Sequence, residues 1–339
     1  MELRHGFTLA YNPSLNYSLP MQNSLIIIYK WARQFSRIGL LASLAIVIAV
    51  QAFVGDIPLS LQLAIALIAL LVGIPHGAID HLITIPRTSK KKFTAYIVGY
   101  ILVAILAGWA IATWNLLGFQ IVVVMSALHF GFGDAAYRNE ETVYLKEDKF
   151  PMWVESAYAI PAGFLPVVLP LTDSRTLDAL ERIQPTLINW AGSNSNAIRS
   201  YTMVLGVACI LLLIVTRYYS HALDLALLAS LAITAPPLIA FAVYFGFWHA
   251  VRHTARLVPK LDSAMKHVAD ENPQRAIAAA VIPGLYAIAG TFLLALGLMI
   301  SSPDKFSSSM LWSTLVIIWA LTVPHMATTA RFDVSALKK

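Results

Sequence analysis

Charge is scarce in this sequence. Asp, Glu, Lys and Arg make up 12% of the 339 residues, about half the share of a soluble domain, and the mean hydropathy is +0.69. A chain with so little charge cannot cover itself with a hydrated surface, so it is an integral membrane protein. Cysteine is almost missing too. Cys209 stands alone, which excludes an internal disulfide and any thiolate-based metal site. No dense basic patch marks a nucleic-acid surface: the formal charge of +6 is spread between apolar runs, and nucleic acid is excluded as a partner. Residues 1–24 are polar and lack the apolar core of a cleaved signal peptide. No internal repeat, low-complexity tract or second-domain boundary is visible.

What is present is a series of apolar runs. A spanning helix needs roughly 20 mostly apolar residues. About ten runs qualify, near 38–54, 59–82, 93–114, 116–137, 153–170, 198–216, 221–235, 237–256, 275–300 and 310–330. Pro236-Pro237 divides the seventh from the eighth, and Pro161 interrupts the fifth. Basic residues precede the first run (Lys30, Arg33, Arg37). They follow the second (Arg87, Lys90, Lys91, Lys92), fourth (Arg138, Lys146, Lys149), sixth (Arg217), eighth (Arg256, Lys260, Lys266) and last (Arg331, Lys338, Lys339). The other loops are short or mixed, as at Asp56, Asn115 and Asp304-Lys305. Lys and Arg collect on the cytoplasmic side, so the alternation predicts an all-α, multi-pass membrane helical bundle with both termini cytoplasmic. The predicted organisation is a polar, interfacial segment over residues 1–37, one catalytic membrane domain over 38–330, and a cytoplasmic tail over 331–339. Leu25-Ile-Ile-Ile-Tyr29 is too short to span and is expected at the interface. Residues 174–190 are expected to form an amphipathic helix on the outer surface.

The histidines carry the functional signal. Of nine, His5, His221 and His267 fall in tails or loops and are read as solvated, and His81 ends the second run near the interface. The other five are His76 on the second run, His129 on the fourth, His249 and His253 on the eighth, and His325 on the last. All these runs point the same way, and each histidine precedes the cytoplasmic end by a few to about ten residues. At about 1.5 Å per residue this is one layer, roughly 5–15 Å below the surface. A single buried histidine usually has a structural partner on a neighbouring helix. Five scattered structural histidines have no reason to share a depth, and ionisable groups inside a membrane are costly and usually functional. His249 and His253 also lie one helical turn apart on one face, a spacing that suits one metal ion held by imidazole.

The surroundings agree with a metal centre. Asp80 follows His76 by one turn and Asp134 follows His129 by five residues. Either carboxylate can accept a ligand's free ring N–H and fix its orientation; helix-end solvation or pairing with Arg252 or Arg256 is the competing role. Gly77, Gly131, Gly133 and Gly246 beside the histidines permit close helix approach. No Glu-x-x-His pair of the di-iron bundles lies in an apolar run; Glu155 is the acidic residue near a span that could act as a glutamate ligand. His-Glu-x-x-His is absent, against a zincin-type protease. Adjacent His-His pairs, which membrane desaturases and hydroxylases carry, are absent as well. Phe130, Phe132, Tyr244, Phe245, Phe247 and Trp248 flank the histidines. They offer a flat apolar slot, although aromatic packing between helices explains any one of them singly.

Together Pro75-His-Gly-Ala-Ile-Asp80, His129-Phe-Gly-Phe-Gly-Asp134, Trp248-His-Ala-Val-Arg-His253 and Pro324-His-Met326 resemble the Brp/Blh family of bacterial and archaeal membrane β-carotene 15,15′-dioxygenases, from about residue 40 to 330. The resemblance implies cleavage of the central double bond of β-carotene by O2, with Fe(2+), giving two all-trans-retinal. It implies iron ligands at His76, His129, His249 and His253, with Asp80, Asp134 and His325 as outer-shell or substrate-adjacent residues. It also implies a multi-pass location in a prokaryotic cell (inner) membrane and retinal hand-off to a microbial rhodopsin. The residues themselves leave two alternatives open: a membrane non-haem iron hydroxylase or desaturase of a lipid, and a transporter using the histidines as a relay. The transporter reading is weakened by the lack of a repeat in the hydropathy.

Overall fold

The computed structural model describes residues 17–84, 89–147, 150–301 and 308–337. His5, Arg87, Lys149, Asp304-Lys305, Lys338 and Lys339 lie outside the described residues. Within them every regular element is a helix. In chain order these are α1 (Leu19–Phe53), α2 (Leu59–Gly77), α3 (Asp80–Thr84), α4 (Lys90–Thr113), α5 (Asn115–Leu145), α6 (Met152–Leu171), α7 (Ser174–Ile183), α8 (Ser195–Val215) and α9 (Tyr219–Thr234). There follow α10 (Pro237–Val243), a π-helix (Tyr244–His249), α11 (Ala250–Leu257), α12 (Asp262–Ala269), α13 (Pro273–Val281), α14 (Leu285–Ser301) and α15 (Ser308–Leu337), with short 3-10 turns between some of them.

Seven helical stretches among the described residues are long and apolar enough to cross a membrane: Leu19–Phe53, Leu59–Thr84, Lys90–Thr113, Asn115–Leu145, Met152–Leu171, Gly192–Val215 and Trp312–Leu337. The other three predicted runs are short or broken. Pro236 and Pro237 stop α9 after 16 residues, because proline cannot continue a helix it does not start. The run 237–256 is divided among α10, the π-helix and α11, and the run 275–300 is interrupted at Ile282–Gly284 around Pro283.

The N-terminal segment joins the first helix. Leu25–Tyr29 belongs to the 35-residue α1, and Leu25, Ile28 and Tyr29 are buried. This end of α1 packs against α11, α12 and α13. The segment 174–190 is helical only as far as Ile183, where Pro185 starts a separate 3-10 turn. Asp173 caps that helix by accepting the Arg175 backbone N–H. Hydrogen bonds from the Arg175 guanidinium hold the Asp173 carboxyl below the ordinary carboxylate pKa.

α5 is the central helix. It packs along α6 on one side, along α15 on another, and against α11. A Cβ at Gly131 would meet the Ala159 carbonyl oxygen, and one at Gly163 would meet that of Ala127. Both glycines are therefore required where the α5 and α6 backbones touch, directly behind His129. Of four buried clusters among the described residues, two flank the histidines. One holds Phe130, Tyr244 and Trp248; the other holds Tyr29, Tyr137 and Ala255. His249 and His253 fall between Trp248 of the first and Ala255 of the second.

Candidate metal centre

Four elements bring the five inward histidines together: α2, α5, α15, and the joined π-helix and α11. Ring centres lie 5.1 Å apart for His76 and His249, 5.1 Å for His249 and His129, 5.2 Å for His129 and His325, and 5.6 Å for His325 and His76. His253 contacts all four, at 5.0 Å from His76, 6.5 Å from His129, 5.7 Å from His249 and 5.9 Å from His325. None of the five is more than 7% exposed. His81 lies outside the cluster, half-buried against Phe93. His221 is not solvated: it is 3% exposed, wedged between Phe150 and Tyr158, because α9 begins two residues before it.

Each anchor found for these rings comes from a different helix. His325 Nδ1 and Asp80 Oδ2 are 2.8 Å apart. The carboxylate accepts, so the proton sits on Nδ1. Asp80 thus serves His325, 245 residues away, and not His76 one turn back. His129 Nδ1 lies 3.2 Å from Thr329 Oγ1. That hydroxyl donates to the His325 carbonyl one turn earlier and so accepts from the ring. Asp134 does not hold His129 either; its Oδ2 accepts the Trp248 indole N–H at 2.7 Å. Nor does it pair directly with the two arginines of α11, whose partners are other carboxylates.

Those arginines fix the platform that carries two of the histidines. Arg252 donates to Asp224 Oδ2 at 3.1 Å, to the Tyr158 hydroxyl at 3.1 Å and to Ser36 Oγ at 3.1 Å. Arg256 donates to Glu140 Oε2 at 2.9 Å and Asp333 Oδ1 at 2.6 Å. Both guanidiniums are buried. α11 is thus pinned to α1, α5, α6, α9 and α15 on one side while its histidine face points into the cluster. Arg138 and Arg256, expected among loop charges, are interior. α5 runs on to Leu145 past the end of its apolar run, and Arg138 pairs there with Glu141. Glu155, the acidic residue expected near a span, accepts from Asn139.

The aromatic residues divide. Phe130 lies 4.5 Å from His249 and 5.4 Å from His129, Phe245 lies 5.7 Å from His76, and Tyr244 lies 5.3 Å from Phe130. These three wall the cluster on the His249 side. Phe132 and Phe247 do not join them. They are 40% and 41% exposed on the outside of the bundle, and Phe247 packs over Gly39. Trp248 is buried behind the cluster, between Asp134 and the Arg252 guanidinium 3.5 Å from its ring.

Six imidazole nitrogens in this cluster are buried with no hydrogen-bond partner: His76 Nδ1, His129 Nε2, His249 Nε2, both of His253, and His325 Nε2. An unsatisfied buried polar atom costs about 1–3 kcal/mol, so six in one place mark a site built to hold something. Among the described residues no group of three or more His, Cys, Asp or Glu side chains stands close enough to hold a metal ion as placed. The rings are gathered and their donors free, and a set of neutral imidazoles fits a divalent transition metal.

Comparison with known proteins separates the possibilities. The sequence profile of the β-carotene 15,15′-dioxygenase family matches residues 67–333, a window that opens in α2, closes at Asp333 and contains all five histidines. The chain belongs to the β-carotene 15,15′-dioxygenase family. A β-carotene 15,15′-dioxygenase of the uncultured marine bacterium 66A03 is 27% identical over 273 residues, covering 78% of this chain and 90% of that protein. The probable β-carotene 15,15′-dioxygenase Blh of Halobacterium salinarum is 27% identical over 303 residues, covering 78% of this chain and 82% of that protein. No solved structure matches. Asp333, Thr329, Glu140 and Asp224 are the members of this site that the sequence motifs did not single out. Thr329 and Asp333 carry one signal, the successive four-residue steps from His325 along α15; Glu140 and Asp224 stand at no such spacing from a histidine or arginine.

Proposed function

We propose that this protein cleaves the central 15,15′ double bond of β-carotene with O2, using Fe(2+), to give two molecules of all-trans-retinal. The observation that carries the reading is the cluster of buried, unpartnered imidazole nitrogens against an aromatic wall, in a chain of this family. His76, His129, His249 and His253 would hold the iron, and iron(II) held there supplies the activation of O2. The protein's own part is positional. Thr329 sets the His129 tautomer, leaving Nε2 as a bare lone pair. Phe130, Phe245 and Tyr244 give a long conjugated chain a flat face beside the histidines, fixing which double bond lies nearest. The Tyr244 hydroxyl is buried with no hydrogen-bond partner and is the one donor on that wall. Water is excluded because every ring of the centre is buried. The membrane location brings an apolar substrate to the site through lipid, and a microbial rhodopsin is the natural acceptor of the retinal.

Cells that make β-carotene test this. Expression should bleach their orange colour, and the extract should contain retinal as the sole aldehyde, two per carotene lost. Bleaching should stop without oxygen. Unequal apocarotenals would overturn central cleavage. Hydroxylated carotenoids would favour the hydroxylase reading, and intact carotene with metal or proton flux would favour a transporter.

A further inference from the structure

The contacts among the rings form a closed figure. His76, His249, His129 and His325 follow one another round a circuit with steps of 5.1, 5.1, 5.2 and 5.6 Å. His253 stands in contact with all four. Remove His325 and the other three circuit members lie on an open arc. His325 stands 5.2 and 5.6 Å from its circuit neighbours, close to the 5.1 Å steps between the others, and it is buried to the same degree as His129.

Its hydrogen bonding has the asymmetry of a ligand. A structural histidine buried among helices satisfies both ring nitrogens. His325 satisfies one. Nδ1–H is given to Asp80 at 2.8 Å, and Nε2 is buried and empty-handed. A carboxylate on one ring nitrogen and a bare lone pair on the other is how metal-binding histidines are held. The space has been cleared for it as well: a Cβ at Gly77 would come within 3.3 Å of His325 Nδ1. One face of α15 carries this ring, then Thr329 under His129, then Asp333 on Arg256, so this helix serves the centre along its length.

We propose that His325 is a fifth imidazole ligand of the centre, aimed by Asp80, with His253 capping a circuit of four. This rests on the reading of the cluster as a metal site and adds a ligand to the four taken from the family motifs. A fifth imidazole would take a position otherwise open to O2 or substrate, which would limit how many partners reach the ion at once.

The test is spectroscopic. Full-length protein in detergent is loaded without oxygen with cobalt(II), whose visible absorption reports coordination number. The parent should show the weak bands of a high-coordinate ion. His325→Gly should show stronger, shifted bands, and added imidazole should restore the parent spectrum by filling the gap. Asp80→Asn, which keeps the size and the fold, should shift the bands partway. A cobalt spectrum in His325→Gly that superimposes on the parent's overturns the proposal. If His325→Gly takes up no cobalt, restored uptake with imidazole supports the proposal, and an unshifted Asp80→Asn spectrum overturns it. A parent that takes up no cobalt would instead sink the metal reading as a whole, which is a different result.

Discussion

At the scale of single residues, the site is built from nitrogens left deliberately without partners and from oxygens that turn the other side of the ring. Thr329 gives the sharpest check. Its hydroxyl faces His129 Nδ1 at 3.2 Å, so Thr329→Val removes that oxygen while keeping the shape. Losing such an outer-shell partner costs about 10–100-fold in metal affinity or activity. His129→Ala removes the donor itself and should leave the purified chain without iron and without retinal formation. Iron per chain and initial rates measure both, and a Thr329→Val protein with parental iron and rate would show that the hydroxyl does not set the ring. The histidines were legible in the sequence because shared depth along helices survives as spacing. Their partners were not. Asp80 was paired with His76 because sequence reveals only neighbours one turn away, whereas its partner lies 245 residues on.

At the scale of elements, α11 is the piece that positions most with least. With the last residue of the π-helix it alternates His249, Arg252, His253 and Arg256, so this continuous stretch presents donors to the centre and cations to the surrounding carboxylates. The π-helix Tyr244–His249 precedes α11, and such wide turns recur at functional sites because they re-aim the side chains that follow. Arg256→Ala would take the guanidinium from the buried Asp333 carboxylate and leave Glu140 to the Tyr29 hydroxyl and Lys260. Breaking a buried pair from one side costs about 3–5 kcal/mol. The variant should unfold in detergent at clearly lower temperature and lose iron, while Arg175→Ala, on an exposed pair, should change neither. Equal unfolding temperatures for Arg256→Ala and the parent would show that the network does not hold α11. The sequence hid this network for a physical reason. Apolar runs end where charge begins, but α5 and α11 continue as helix beyond that point, buried by α1, α12 and α15 in place of lipid.

At the scale of the whole molecule, the number of crossings decides where the ends lie. Counting only helices long and apolar enough gives seven among the described residues, and an odd number puts the termini on opposite sides. The sequence pattern gives ten and puts them together. α9, at 16 residues, is about 24 Å long against a hydrocarbon core of about 30 Å. The stretch from Pro237 to Leu257 is helical throughout, but it carries Arg252, His253 and Arg256. Those three are buried and face protein, so their charge is not exposed to lipid and does not forbid crossing. The centre also needs α11 at the depth of α2, α5 and α15, since its histidines touch theirs. Ten crossings with both ends on the basic, cytoplasmic side is the arrangement that the sequence pattern proposes, and reporters test it. Reporters active only outside the cell, fused before Met1 and after Lys339, should both stay silent, and one placed at Asn194, between α7 and α8, should be active. One active terminal fusion and one silent would establish an odd count, and two active ones would reverse the orientation that the basic loops imply.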